Sequence, residues 1–135
     1  MSDPISIVRA FCGLMQQRDS EALRPFLADD AVYQNTGMPA CVGADEILKD
    51  LARQFAAFPD SYAYEVVNVA SAGEVVLTER LDMIRTPSGV QGVPVMGAFV
   101  VRDGRIARWT DYWDTRLPGK MIQGEDVSSL VPAKY

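Results

Sequence analysis

Tyrosine, asparagine, arginine and aspartate recur in this 135-residue chain as polar residues spaced two apart, inside runs rich in β-branched and aromatic side chains. In an extended strand, residues i and i+2 point to one face, so each such pair presents two polar groups side by side. Tyr33 and Asn35 form one pair and Arg80 and Asp82 a second. The third group is Asp111 between Trp109 and Trp113, a carboxylate flanked by two indoles. A carboxylate placed there loses hydration, which raises its pKa unless a cation is close. If Arg80 is that cation, its strand, with Val76, Thr78, Arg80, Asp82 and Ile84 on one face, must meet the strand of Asp111 on a concave surface. Residue types alone point first to an Asp-Arg-Asp cluster that satisfies only its own charges.

The chain contains no histidine. That excludes Ser-His-Asp and Cys-His catalysis, His-ligated zinc, and any covalent intermediate cleared by a histidine base. Acid–base work falls to Asp, Glu, Tyr, Lys or Cys. Glu79, Tyr112 and Asp114 lie on the opposite strand faces and read as structural or surface residues.

A net charge of -5 and the lack of any Lys/Arg cluster interleaved with aromatics exclude the electrostatic footprint of a nucleic-acid binder. Cys12 and Cys41 have neither metal-ligand nor disulfide-framework spacing and read as reduced thiols. Met1-Ser2-Asp3-Pro4 lacks a basic segment and Arg9 interrupts Ile5–Met15, so no export signal is expected. No stretch approaches the ~18–20 apolar residues needed to span a bilayer. A soluble, cytoplasmic protein is the expectation.

The elements that must carry the pairs follow from periodicity. Ile7, Val8, Phe11, Leu14 and Met15 mark a helix from Asp3-Pro4 to near Arg18. A short helix is predicted from the Asp19-Ser20 cap to about Leu27, with Pro25 kinking or shortening it. A third helix, with Ile47, Leu48, Leu51, Phe55 and Phe58 on one stripe, runs from about Asp45 to the stop at Pro59. Four strands follow at Tyr62–Ala70, Val75–Arg85, Val93–Arg102 and Arg105–Asp114, joined by Ser71–Glu74, a looser Thr86–Gly92 link and a tight Asp103-Gly104 turn. The tail from Thr115 shows little periodicity and is predicted to be extended. Helices first and an antiparallel meander second is the α+β order, and the length suits one domain.

In order along the chain, Val32-Tyr33-Gln34-Asn35, Gly43, Thr78-Glu79-Arg80-Leu81-Asp82, Gly97-Ala98-Phe99, Gly104-Arg105-Ile106 and Trp109-Thr110-Asp111-Tyr112-Trp113-Asp114 resemble the limonene-1,2-epoxide hydrolase family. The resemblance implies one catalytic domain over residues 1–135: a curved, mainly antiparallel sheet with about three N-terminal helices forming a cone-shaped pocket. This is the nuclear transport factor 2-like or cystatin-like superfold, shared with ketosteroid isomerase and scytalone dehydratase. It also implies that Tyr33 and Asn35 hold a water, Asp111 activates it, Asp82 is the acid, and Arg80 bridges the two aspartates. The expected reaction is hydrolysis of an epoxide to a vicinal diol without metal or cofactor, in a homodimer.

Trp109, Trp113, Val76, Ile84, Val95 and methionines including Met15 are expected to line a pocket for an apolar, cyclic, terpene-like epoxide. Thr110 in place of an arginine, Trp113 in place of a phenylalanine, and the Thr36–Ala40 loop depart from the family pattern, which bears on the substrate. An isomerase or cyclase abstracting a proton beside a carbonyl, and a non-catalytic binding domain with a vestigial pocket, are the rival readings.

Overall fold

The computed structural model describes residues 3–133; the Met1-Ser2 start, expected not to belong to an export signal, lies outside them. Helix α1 (Pro4–Leu14) begins where the Asp3 carboxylate accepts the Ser6 backbone N–H at 3.0 Å and its hydroxyl at 2.7 Å, with the fixed φ of proline in the first turn. A short 3-10 turn, Met15–Gln17, follows and closes at Arg18 in the left-handed conformation. The predicted second helix is present over Ser20–Phe26, but as a 3-10 helix. Pro25 supplies the reason, since its ring would clash with the carbonyl four residues back in an α-helix. Helix α2 (Ala44–Ala57) buries Ile47, Leu48, Leu51 and Phe55 and ends just before Pro59.

The six strands are β1 (Leu27–Asn35), β2 (Cys41–Val42), β3 (Ala63–Ala72), β4 (Val75–Thr86), β5 (Gly89–Arg102) and β6 (Arg105–Tyr112). They form one sheet in the order β2-β1-β6-β5-β4-β3. The β3–β6 meander is antiparallel as expected, and β1 joins it in parallel on the free side of β6. That parallel pairing was not foreseen, because it joins segments more than seventy residues apart. Register shifts at Val66/Asn68 and Val100/Val101 bend the sheet. The Thr86–Gly92 link is tighter than predicted: Thr86 already pairs with Gly89, and its hydroxyl contacts both the Gly89 carbonyl and Gln91.

Helices α1 and α2 cover the concave face. Phe11 of α1 meets Trp109 edge-on at 5.2 Å between ring centroids, Phe99 stacks on the same indole at 5.7 Å, and Leu23, Leu51 and Ile106 are fully buried around them. Each such side chain contributes ~1.5–3 kcal/mol on burial, which fixes the helices against the sheet.

The tail is not simply extended. Leu117–Ile122 forms helix α3, with Pro118 in its first turn, and Leu117 and Met121, four residues apart, pack against Ile84, Val93 and Val95. Six residues are too few for periodicity to reveal. No helix among the described residues is long and apolar enough to cross a membrane.

Candidate active site

Three strands deliver the polar pairs to one end of the concave face. Register places Asn35 of β1 beside Asp111 of β6, Asp111 opposite Gly97 of β5, and Gly97 opposite Thr78 of β4. Arg80, two residues along from Thr78, must therefore cross β5 to reach β6. It does so over Gly97, where a Cβ would overlap Arg80 Nη1 and lie 2.8 Å from Thr78 Oγ1 and 3.0 Å from Asp111 Oδ1. The glycine thus makes room for the guanidinium.

Arg80 spends all five N–H donors on this cluster. Nε and Nη2 donate to Asp82 Oδ1 and Oδ2 at 3.0 and 2.9 Å. Nη1 and Nη2 donate to Asp111 Oδ1 and Oδ2, both at 3.0 Å, and Nη1 also approaches Thr78 Oγ1 at 3.4 Å. Two forked pairs on one guanidinium are a geometry that a lysine ammonium cannot reproduce. The Arg80 side chain is fully buried, and its charge also lies 4.3 Å above the centre of the Tyr64 ring. Burial alone would push the guanidinium pKa down; Asp82 and Asp111 outweigh it and hold the group well above its usual value.

The two aspartates differ in setting. Asp111 accepts a third N–H bond, from Trp109 Nε1 at 2.8 Å, and its side chain is 3% exposed. Among the described residues Asp82 has Arg80 alone as side-chain partner; it keeps 16% of its side chain open and borders the cavity. Burial pushes the Asp82 carboxyl up to about 6, against the opposing pull of Arg80. Its proton is thus held more tightly in the native chain than in the unfolded one. The resulting stabilisation is complete below pH 3.8 and is lost as pH rises through about 6. Its size is of order 2–3 kcal/mol. Thermal unfolding of wild type should therefore show a decline in Tm between about pH 4 and 6 that Asp82→Asn lacks, and identical profiles would contradict this assignment of the proton.

Tyr33 and Asn35 bond to each other, Asn35 Nδ2 donating to the Tyr33 hydroxyl at 3.0 Å. Trp113 Nε1 donates to Asn35 Oδ1 at 2.7 Å, which fixes the orientation of the amide. Tyr33 stacks on Trp109 at 3.9 Å, and burial keeps its phenol neutral, with a pKa well above the usual value.

A cavity of about 320 Å³ opens on this cluster, a volume that accommodates a small organic molecule. Its polar end is Tyr33, Asn35, Asp82 and Asp111; Phe58, Ile84, Val93, Val95 and Trp113 supply apolar wall. Of the expected pocket residues, Trp113, Ile84 and Val95 line it. Trp109, Val76 and Met15 do not: all three are fully buried in the core between sheet and helices. Trp109 acts from behind, through its bond to Asp111. Sequence reasoning assigned no site role to Gly97 and Thr78, or to a second polar wall of Asp50, Gln54, Tyr62 and Tyr64. The i, i+2 spacing of Tyr62 and Tyr64 was the available signal for that wall.

The helix-covered curved sheet with acidic groups at one end of its cavity defines an α+β protein of the ketosteroid isomerase-like, cone-shaped class. A hypothetical protein with ketosteroid isomerase-like fold from Catenulispora acidiphila DSM 44928 superposes with a TM-score of 0.75 over 98% of each chain at 20% identity, a likeness of fold alone. Residues 2–120 match the family described as Limonene-1,2-epoxide hydrolase catalytic domain. The chain is 34% identical over 127 residues to Epoxide hydrolase EphG of Mycobacterium tuberculosis (strain ATCC 25618 / H37Rv), covering 93% of this chain and 83% of that protein. The structure of an M. tuberculosis LEH-like epoxide hydrolase is similar with a TM-score of 0.76, 30% identity and 96% of each chain covered. This chain belongs to the limonene-1,2-epoxide hydrolase family, and is by that membership an enzyme of the epoxide-hydrolase class.

Proposed function

We propose that the protein adds water across an apolar, cyclic epoxide in one concerted step to give a vicinal diol, with Asp82, Arg80 and Asp111 as an Asp-Arg-Asp triad. The observation that carries this reading is the guanidinium shared between a carboxyl group open to the cavity and one enclosed by N–H donors. Water is a poor nucleophile at neutral pH. In this mechanism Asp111 takes its proton as it attacks carbon, while Tyr33 and Asn35 hold it in line. Charge builds on the departing oxygen, and Asp82 delivers a proton there. The diol gains an oxygen and one hydrogen from water and one hydrogen from Asp82; the other water proton ends on Asp111 and must return to Asp82 before the next turnover. Two ionised carboxylates on one Arg80 would leave net negative charge in an apolar site, and a proton retained on Asp82 removes it.

In the rival isomerase reading the donor to an enolate oxygen would be Asp82, since all five Arg80 N–H groups are engaged; incorporation of ¹⁸O from labelled water into product separates the two reactions. The apolar wall of Ile84, Val93, Val95 and Trp113 supports a mainly hydrocarbon substrate. Assay of a panel of cyclic and acyclic epoxides, with chiral analysis of the diols, tests the reading; no diol from any member contradicts it. If Asp82 donates the proton, kcat/KM should fall about tenfold per pH unit above about 6. A profile flat from pH 6 to 8 would remove Asp82 from that role.

The homodimer and cytoplasmic setting belong to the same proposal. Leu77, Met96 and Tyr112 are about half exposed on neighbouring strands of the convex face, the kind of apolar patch that a second copy covers. Both cysteines are free thiols, which suits a reducing compartment. Light scattering should give twice the 14.8 kDa chain mass, and a monomer at assay concentration would contradict the dimer.

A further inference from the structure

The cavity has a second polar wall that water activation and proton delivery leave unused. It begins at α2, where Gln54 Nε2 donates to Asp50 Oδ2 at 2.7 Å. A carboxylate oxygen only accepts here, so the Gln54 amide must turn its N–H to Asp50 and its carbonyl oxygen the other way. That carbonyl meets the Tyr62 hydroxyl, which must donate to it. Tyr62 has then spent its one proton. Its oxygen lies 3.1 Å from the Tyr64 hydroxyl, and the bond between them forms only if Tyr64 donates. Asp50 thus dictates the direction of every bond along the chain. Both phenolic protons point inward along it, and what the two oxygens retain is lone pairs.

Tyr62 and Tyr64 both line the cavity, and Tyr64 pairs across the sheet with Asp82. We infer that the epoxide this enzyme accepts carries a hydroxyl, received as a hydrogen-bond donor by the Tyr62–Tyr64 pair on the wall beside Asp82. The inference rests on the epoxide-hydrolase reading and narrows its substrate from any apolar epoxide to one with a single donor group on an apolar frame. An ether or carbonyl at the same place offers only lone pairs to lone pairs. A bare hydrocarbon leaves the phenolic oxygens facing carbon, at the cost of one hydrogen bond, worth about tenfold in kcat/KM.

Three cyclic epoxides of one carbon frame separate the possibilities: the parent cyclohexene oxide, a ring-hydroxylated derivative and its methyl ether. Diol formation is followed in wild type, Tyr64→Phe and Tyr62→Phe. The readout is the ratio of kcat/KM values between substrates within each protein, which a general loss of activity does not alter. Wild type should prefer the hydroxylated epoxide over both others by about tenfold, and the preference should shrink to about twofold or less in at least one variant. Equal kcat/KM for all three, a preference for the methyl ether, or a hydroxyl preference unchanged in both variants overturns the inference while leaving hydrolysis standing. No diol from any substrate overturns the hydrolase reading and this inference together. The wild-type comparison decides even if neither variant folds.

Discussion

Asp111→Asn should lower kcat/KM for any epoxide the enzyme opens by about 10³-fold, within the ~10²–10⁴ typical of a positioned general base. The substitution removes the proton acceptor while keeping nearly the same volume. It also disturbs the cluster: both Asp111 oxygens receive N–H donors, Oδ1 from Trp109 and Arg80 and Oδ2 from Arg80. An asparagine amide must turn its own N–H₂ against one of them in either orientation. That mismatch costs roughly 1–3 kcal/mol, so the variant should fold with a lowered Tm. Asp82→Asn meets the same mismatch, since both Asp82 oxygens accept from Arg80, but its side chain borders the cavity, where the amide N–H₂ can turn away from the guanidinium. It should lose comparable activity through the missing proton while keeping the fold. Steady-state kinetics on the purified variants decides the matter: either protein retaining more than a tenth of wild-type kcat/KM would remove that aspartate from the chemistry.

Gly97→Ala should disrupt the site without removing a polar atom. Its methyl group would occupy space held by Arg80 Nη1 and press on Thr78 and Asp111 within 3.0 Å. The guanidinium cannot retreat into water, since its side chain is fully buried. Displacing it separates a charge from its partners in a dry environment, a loss of roughly 3–5 kcal/mol. At roughly 3–4 °C per kcal/mol for a chain of this size, Tm should fall by about 10–20 °C. Turnover should vanish, because both carboxyl groups lose the group that orients them. Paired measurements of thermal unfolding and diol formation test this. An alanine variant with wild-type Tm and wild-type rate would show that Arg80 does not need the passage over β5.

What could be read in the chain and what could not divide along a physical line. Strand period two made Tyr33/Asn35, Arg80/Asp82 and Asp111 visible as same-face pairs, since that rule needs only neighbouring residues. Helical period exposed α1 and α2 equally well, and the absence of histidine removed whole classes of mechanism at once. Nothing local says that β1 lies parallel to β6, or that β5 interposes Gly97 between Arg80 and Asp111. Trp109 shows the same limit. It reads as pocket wall because it faces inward beside Asp111, yet Phe11 of α1 covers it, and only its indole N–H reaches the site. Val76 and Met15 were misplaced for the same reason: whether an inward apolar residue lines a cavity or fills the core depends on which helix lies above it. Helix α3 escaped because a single turn and a half, packed by two side chains, has no repeat to detect.

The claim on which the mechanism turns is that solvent oxygen attacks the epoxide directly, with no ester formed on Asp82 or Asp111. A single turnover in ¹⁸O-labelled water, with enzyme in excess over epoxide, tests it. Direct attack puts one labelled oxygen in the diol on that first turnover and none in the protein. Unlabelled first-turnover diol with ¹⁸O recovered in an aspartate of the enzyme would contradict it.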